Sequence, residues 1–208
     1  MRGSLARLVA EIHGCQVCQA FLPHPPRPVV QLGVGARLLI VGQAPGLRVH
    51  RSGIPWNDAS GARLRQWLGL DTERFYDSRF VSILPIGFCY PGKGPSGDLP
   101  PRPECAPRWH PRVLPHLESV ALTILVGRYA QAYYLGSRAG PLVADTVAAF
   151  ESFLPEYLPV PHPSPRNQHW LGRHPWFERS VLPELRARVA TLIGATRLVP
   201  VRVAPTAS

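Results

Sequence analysis

The stretch RLLIVGQAPG, Arg37–Gly46, places a short apolar run directly before a turn of glycine and proline. Runs of this length, bounded by turn residues, are typical of strands that are buried on both faces. Similar runs are RFVSILPI at 79–86, LTILVG at 122–127 and YLPVPH at 157–162. We therefore predict four central strands.

Segments with helical spacing lie between and after these runs. They are GARLRQWLGL at 61–70, RYAQAYYLG at 128–136, LVADTVAAFESFL at 142–154 and PWFERSVLPELRARVATLI at 175–193. Alternation of strand and helix indicates a mainly parallel sheet with helices on both faces. We predict the α/β class: one three-layer α/β/α domain over residues 1–197 with a short four-stranded sheet, followed by a tail at 198–208. The last helix should pack on the sheet despite a bend at Pro183.

The formal net charge of +10 comes almost entirely from arginine, since Lys93 is the only lysine. This charge favours a polyanion such as nucleic acid, and the alternative is a compositional bias towards arginine without a partner. No apolar stretch approaches the roughly 20 residues of a membrane span, and the N-terminus has no secretory pattern. We expect a cytoplasmic monomer without membrane association.

The four cysteines form two pairs, Cys15 with Cys18 and Cys89 with Cys105. Four thiolates from two places in the chain can complete one site, for an iron–sulfur cluster or a structural zinc ion. The alternative is buried free thiols. The second pair brackets most of a segment rich in proline and glycine, 90–111, which cannot order itself by burying side chains. Metal binding would therefore fix this loop.

Two motifs follow strands and should meet at one edge of the sheet, where ligands bind in such folds. The first is GQAPG, in which the small residues Gly42 and Ala44 leave backbone amides around Gln43 open to an anion or a base edge. An ordinary turn is the alternative. The second is HPSPRN, in which His162 stands between prolines, so a hydrogen-bonding role fits better than a ligand role.

The chain resembles the uracil-DNA glycosylase superfamily from about Cys15 to Leu185. The resemblance is carried by GQAPG, GIPWNDASG, HPSPRN and the cysteine spacing, which is closest to the fourth, iron–sulfur family. It implies that the protein flips uracil, or a related deaminated base, out of DNA and hydrolyses the N-glycosidic bond in base excision repair. It also implies a [4Fe-4S] cluster held by Cys15, Cys18, Cys89 and Cys105, with structural zinc as the alternative. Bound to DNA, the protein would be associated with the nucleoid.

The resemblance also assigns roles to residues of the two motifs. Trp56 matches the aromatic position on which the family stacks uracil, and His162 matches the donor to the base oxygen. Gly42, Gln43 and Ala44 match the turn that holds the base and the water.

The chain departs from the family at two positions. Gln43 stands where the best-known members carry aspartate and the fourth family glutamate, and RFVSILPIGFC contains no asparagine to read uracil. Asp58, in DASG, resembles the aspartate-x-Ser-Gly of the fifth family, whose carboxylate activates the water; the alternative is a helix N-cap. Asn57 and Asn167, the only two asparagines, lie inside the motifs and are candidates for substrate binding. For Asn57 a turn residue is the alternative.

The segment after HPSPRN is rich in bulky and basic residues. Trp170 or Leu171 could fill the gap left by the flipped base, and Ser164, Arg166 and Arg173 could contact phosphates. The alternative for Trp170 is that it docks the last helix. Two other hypotheses stay open: a protein that binds uracil-containing or single-stranded DNA without efficient turnover, and an iron–sulfur or zinc protein with an incidental basic surface.

Overall fold

A computed structural model describes residues 4–95 and 97–194 of the 208-residue chain. The strands are β1 (Leu38–Val41), β2 (Val81–Ile83), β3 (Lys93–Gly94), β4 (Gly97–Asp98), β5 (Leu122–Val126) and β6 (Tyr157–Val160). Four of them form an all-parallel sheet in the order β2-β1-β5-β6, in which Ile40 pairs with both Ile83 and Ile124. The predicted four-stranded parallel sheet is confirmed.

The helices surround this sheet. They are α1 (Leu5–His13), α2 (Leu47–Ser52), α3 (Ala59–Leu68), α4 (Thr72–Tyr76), α5 (Cys105–Val113), α6 (Gly127–Leu135), α7 (Val143–Ala148), α8 (Gln168–Arg173) and α9 (Leu182–Ile193). Alternate residues of β1 face opposite layers, since Leu38 and Ile40 pack with α3 and α9, whereas Leu39 and Val41 pack with α1 and α5. The three-layer α/β/α arrangement is therefore confirmed.

Two predicted helices differ from what we expected. The helix expected at 142–154 ends at Ala148 and continues as a 3₁₀ turn, Phe150–Phe153. The last helix packs on the sheet as predicted, but Pro183 lies in the first turn of α9 rather than within a bent helix. A π-helical turn, Phe177–Val181, precedes it, since proline has no N–H to continue the α-helical pattern.

The segment 90–111 is more ordered than its composition predicts. It contains the β3–β4 antiparallel pair, and α5 begins at Cys105 with Pro107 in its first turn, where proline is tolerated. The expected tail at 198–208 lies outside the described residues. Within the described ranges, no helix is long and apolar enough to cross a membrane.

Candidate active site

A cleft of about 510 Å³ opens at the carboxyl edge of the sheet. The turn 42–46 follows β1, Pro85 follows β2 and the segment 162–167 follows β6, and all three line the cleft. Strand order reverses beside β1, which is where ligands bind in open α/β sheets. The two sequence motifs therefore meet in one cavity.

The turn after β1 is held through its carbonyl oxygens, which accept hydrogen bonds from the segment after β2. The backbone N–H of Gly87 donates to the Gln43 carbonyl at 2.9 Å, which ties the turn to the chain that follows β2. The Gln43 side chain points elsewhere, because its Nε2 donates to the carbonyl of Leu99 at 3.2 Å. Gln43 thus fixes the residue that follows the β3–β4 pair, and it lines the cleft with Gly42 and Ala44.

Trp56 is held against the cleft by an unusual backbone. Its φ of 57° is left-handed, the only positive φ of a non-glycine residue in the described chain. A Cβ atom at Gly42 would lie 2.8 Å from Trp56 Cζ2, and one at Gly61 would lie 1.7 Å from the Trp56 carbonyl oxygen. The indole ring centroid lies 5.7 Å from that of His162. Two glycines thus make room for an aromatic wall.

His162 is fixed in one tautomer. The backbone N–H of Ser164 donates to His162 Nδ1 at 3.2 Å, so the proton of the neutral ring sits on Nε2. Asn167 Nδ2 donates to the His162 carbonyl at 2.8 Å and fixes the backbone. Burial lowers the pKa of His162, while the nearby Asp58 charge opposes this change. The ring is therefore a neutral donor near pH 7.

Asp58 has one engaged and one open oxygen. Its Oδ1 accepts a hydrogen bond from the backbone N–H of Gly61 at 2.8 Å, which makes it the N-cap of α3. The capping alternative is therefore confirmed. The side chain also lines the cleft, and its Oδ2 would lie 4.0 Å from a Cβ atom at Gly46. Within residues 4–95 and 97–194, capping leaves this second oxygen available for another role.

Asp98, on β4, lines the same cleft and was missed by the sequence reasoning. Its Oδ2 would lie 3.3 Å from a Cβ atom at Gly46. Burial raises the pKa of this carboxyl, as does Asp58, whereas Arg166 and Lys93 lower it. One feature of the sequence could have pointed to Asp98, since it is the only acidic residue between Tyr90 and Pro103.

The remaining predicted residues divide into two groups. Ser164, Arg166 and Asn167 line the cleft, whereas Asn57 is exposed and lies outside its lining. Trp170 stacks on the ring of His174 at 4.3 Å between centroids and packs against the core, as Leu171 also does. The packing of Trp170 agrees with the docking alternative. The exposed Arg173, at the end of α8, is not among the residues that line the cleft.

The four cysteines line a second, small cavity away from the cleft. Burial, with smaller contributions from other thiols of the group, raises the pKa of Cys89 to about 11 and that of Cys105 to about 12. Backbone N–H groups of Arg27 and Phe88 donate to Cys89 and Cys105 respectively. In residues 4–95 and 97–194, no group of three or more His, Cys, Asp and Glu side chains forms a ready metal-ion site. The donor set and its N–H···S bonds fit a thiolate-bound group.

A neutral donor, a carboxylate and an aromatic wall in one cleft are the groups used by hydrolases that release a nucleobase. The model of the Uracil DNA glycosylase superfamily matches residues 30–186. The chain belongs to this superfamily, whose members typically hydrolyse N-glycosidic bonds. The match contains both motifs, Asp98, Cys89 and Cys105, and begins after Cys15 and Cys18.

Proposed function

We propose that the protein is a monofunctional DNA glycosylase of the iron–sulfur branch that excises uracil, or a related deaminated base, in base excision repair. The observation that carries this proposal is the pairing of His162 with Asp58 in one cleft. The His162 Nε2–H is a donor, and Asp58 has an unengaged oxygen close enough to affect the pKa of His162. Trp56 supplies the ring beside them.

The chemistry follows from these groups. The flipped base enters the cleft and lies against the Trp56 ring, at a cost of a few kcal/mol for unstacking. The C1′–N bond breaks with its electron pair leaving on the base, and water adds to C1′. His162 donates to the base oxygen on which charge develops, and the negative charge of Asp58 orients the water for attack.

Reading of the base rests on the backbone more than on side chains. The end of β2 and the segment after it offer Ile83 and Pro85 to the cleft and no asparagine. Asn167 is engaged with the His162 carbonyl and Asn57 is exposed. Backbone amides of the turn 42–46 are left to meet the base oxygens, which supports tolerance of more than one deaminated base.

We also propose that the cysteine cavity holds a [4Fe-4S] cluster. Cys15, Cys18, Cys89 and Cys105 would be its ligands, and the group would supply a structural crosslink between the N-terminal segment and the loop that contains Asp98. The alternative is a structural zinc ion, which would be colourless and would bind the same thiolates. Protein purified without oxygen should be brown with broad visible absorbance, and colourless protein with stoichiometric zinc would contradict the cluster.

Binding of damaged DNA without efficient turnover is the second candidate function. The observation that favours it is Gln43, because an amide cannot act as a base and this one is engaged with Leu99. In this case the cleft would hold the flipped base without hydrolysing it.

Single-turnover base release decides between these functions. The substrates are single-stranded and duplex oligonucleotides that carry uracil, hypoxanthine or xanthine, with a gel shift on the same DNA. We expect release by the wild type and a loss of about two to three powers of ten in His162→Ala, with unchanged DNA affinity, because one donor to developing charge is removed. His13→Ala, an exposed histidine at the end of α1, is the matched control. DNA binding without release from any substrate would establish the binding function instead.

A further inference from the structure

Two carboxylates of the cleft converge on the same small region. A Cβ atom at Gly46 would lie 3.3 Å from Asp98 Oδ2 and 4.0 Å from Asp58 Oδ2. Gly46 is the N-cap of α2, and the absence of a side chain there leaves this region open. Of these two carboxylates, only Asp58 belongs to a sequence motif described above.

Asp98 is held in this position from several sides. Asp98 pairs with Lys93 across the two short strands, and the next residue, Leu99, donates its N–H to the Gly92 carbonyl at 2.8 Å. The Leu99 carbonyl accepts the hydrogen bond from Gln43 Nε2 at 3.2 Å. The side chain of Gln43, in the turn after β1, therefore fixes the end of the strand that presents Asp98 to the cleft.

The charges around Asp98 suit a proton acceptor. Arg166 and Lys93 face it and stabilise the ionised form, whereas burial and the Asp58 charge raise the pKa of the carboxyl. A base whose pKa lies closer to the working pH takes up a proton more readily. Asp58 has only Oδ2 to offer, since Oδ1 accepts from the Gly61 N–H.

We infer that Asp98 is a second catalytic carboxylate, which holds the attacking water together with Asp58 and accepts its proton. The inference rests on the proposed glycosylase function. In this step the water oxygen bonds to C1′ and the C1′–N bond breaks with its electron pair on the base. One water proton passes to Asp98, and the base anion, held by His162 Nε2–H, is protonated on release.

The test compares Asp98→Asn with Asp77→Asn in single-turnover base release across pH. Asp77 is the control, because a nearby arginine also lowers its pKa, here Arg79 in an ion pair at 2.6 Å, but it lies in the turn before β2 at the opposite edge of the sheet. We expect Asp98→Asn to slow release about 100-fold with unchanged DNA affinity, which is the lower range of a general-base contribution. The acid side of the wild-type pH profile should flatten in Asp98→Asn and return in Asp98→Glu. Asp77→Asn should match the wild type.

Each contrary outcome has a distinct meaning. Wild-type rate and pH profile in Asp98→Asn would overturn the inference and leave the glycosylase function standing. Slower release with proportionally weaker DNA binding and an unchanged acid limb would also overturn it, and would make Asp98 a structural partner of Arg166. A wild-type protein that releases no base would overturn both proposals.

Discussion

Asp58 and Asp71 are the same kind of residue by local structure. Each begins a helix and accepts a hydrogen bond from the backbone N–H three residues on, at 2.8 Å for Asp58 and 2.7 Å for Asp71. Only Asp58 also lines the cleft. The pair separates capping from catalysis within one protein.

We predict that Asp58→Asn abolishes most base release and leaves folding intact, because asparagine caps helices about as well as aspartate but lacks the negative charge that orients the water. Asp71→Asn should leave both properties unchanged. Asp58→Ala should additionally lower the free energy of unfolding by about 1 kcal/mol. Single-turnover release and urea unfolding of the variants measure the two effects. Full activity in Asp58→Asn would show that Asp58 acts only as a helix N-cap.

At the residue scale, the most predictable parts of the cleft were the motifs that directly follow a strand. His162 and Gln43 follow β6 and β1, so the parallel sheet alone brings their segments together. Asp98 was missed because its position depends on a two-residue strand and on the Gln43 contact with Leu99, and neither leaves a pattern in the sequence. The exposure of Asn57 depends on the path of the chain between α2 and α3, which composition does not encode.

The loop between Cys89 and Cys105 contains a strand pair that is too short to be stable alone. The β3–β4 pair has two residues in each strand, and isolated hairpins are at best marginally stable in water. The loop therefore needs contacts outside the hairpin, and the hydrogen bond from Gln43 to the Leu99 carbonyl is one of them. Cys89 and Cys105 are placed to provide others if they bind a common group.

We predict that Cys89→Ser or Cys105→Ser increases proteolysis within 90–104, because loss of one ligand releases one end of the loop. The segment 136–142, another turn rich in glycine, serves as the internal control and should be cut at the wild-type rate. Limited proteolysis with mass mapping of the fragments gives both rates. Equal protection of 90–104 in the variants would contradict a crosslinking role.

Among the elements, the buried strands were the most predictable. The apolar runs that contain β1 and β5 end in glycine, and an uninterrupted apolar run fits a strand that is buried on both faces. The β3–β4 pair and α5 were not predicted, because proline and glycine dominate the segment and tertiary contacts overrode local propensity.

The charge of the whole molecule makes DNA binding sensitive to salt. With a net charge of +10, arginine contacts to phosphates should release counterions on binding. We predict that Arg166→Gln weakens binding about equally for all DNA sequences and reduces the slope of log affinity against log salt by about 1. Filter binding or anisotropy over a salt series measures this slope. Arg79→Gln, before β2 at the amino edge of the sheet, is the control, and an equal loss in both variants would exclude a specific role of Arg166.

The molecule should also lose stability in mild acid through His110, which is fully buried under the cleft. Its ring bonds the carbonyl of Pro85 at 3.0 Å and the hydroxyl of Tyr134 at 2.8 Å. Burial lowers the pKa of His110 to about 4 from 6.5. The unfolded chain therefore binds the proton more tightly, and stability that is complete above pH 6.5 falls as the pH drops towards 4.

This difference in pKa corresponds to about 3 kcal/mol over the whole interval. We predict that the free energy of unfolding in urea decreases by this order between pH 7 and pH 4, and that His110→Gln removes most of this dependence. His13→Gln, at an exposed histidine, should retain it. If His110→Gln kept the full wild-type slope, other groups would be responsible.

The left-handed backbone of Trp56 limits how this cleft can change by mutation. Alanine at Gly61 would place its methyl carbon 1.7 Å from the Trp56 carbonyl oxygen, and alanine at Gly42 would place it 2.8 Å from the indole ring. Gly42, Trp56 and Gly61 therefore depend on one another, and we expect single substitutions at either glycine to be lost in random mutagenesis. New base preferences should therefore arise at Ile83 or Pro85, where the wall of the cleft can change one residue at a time.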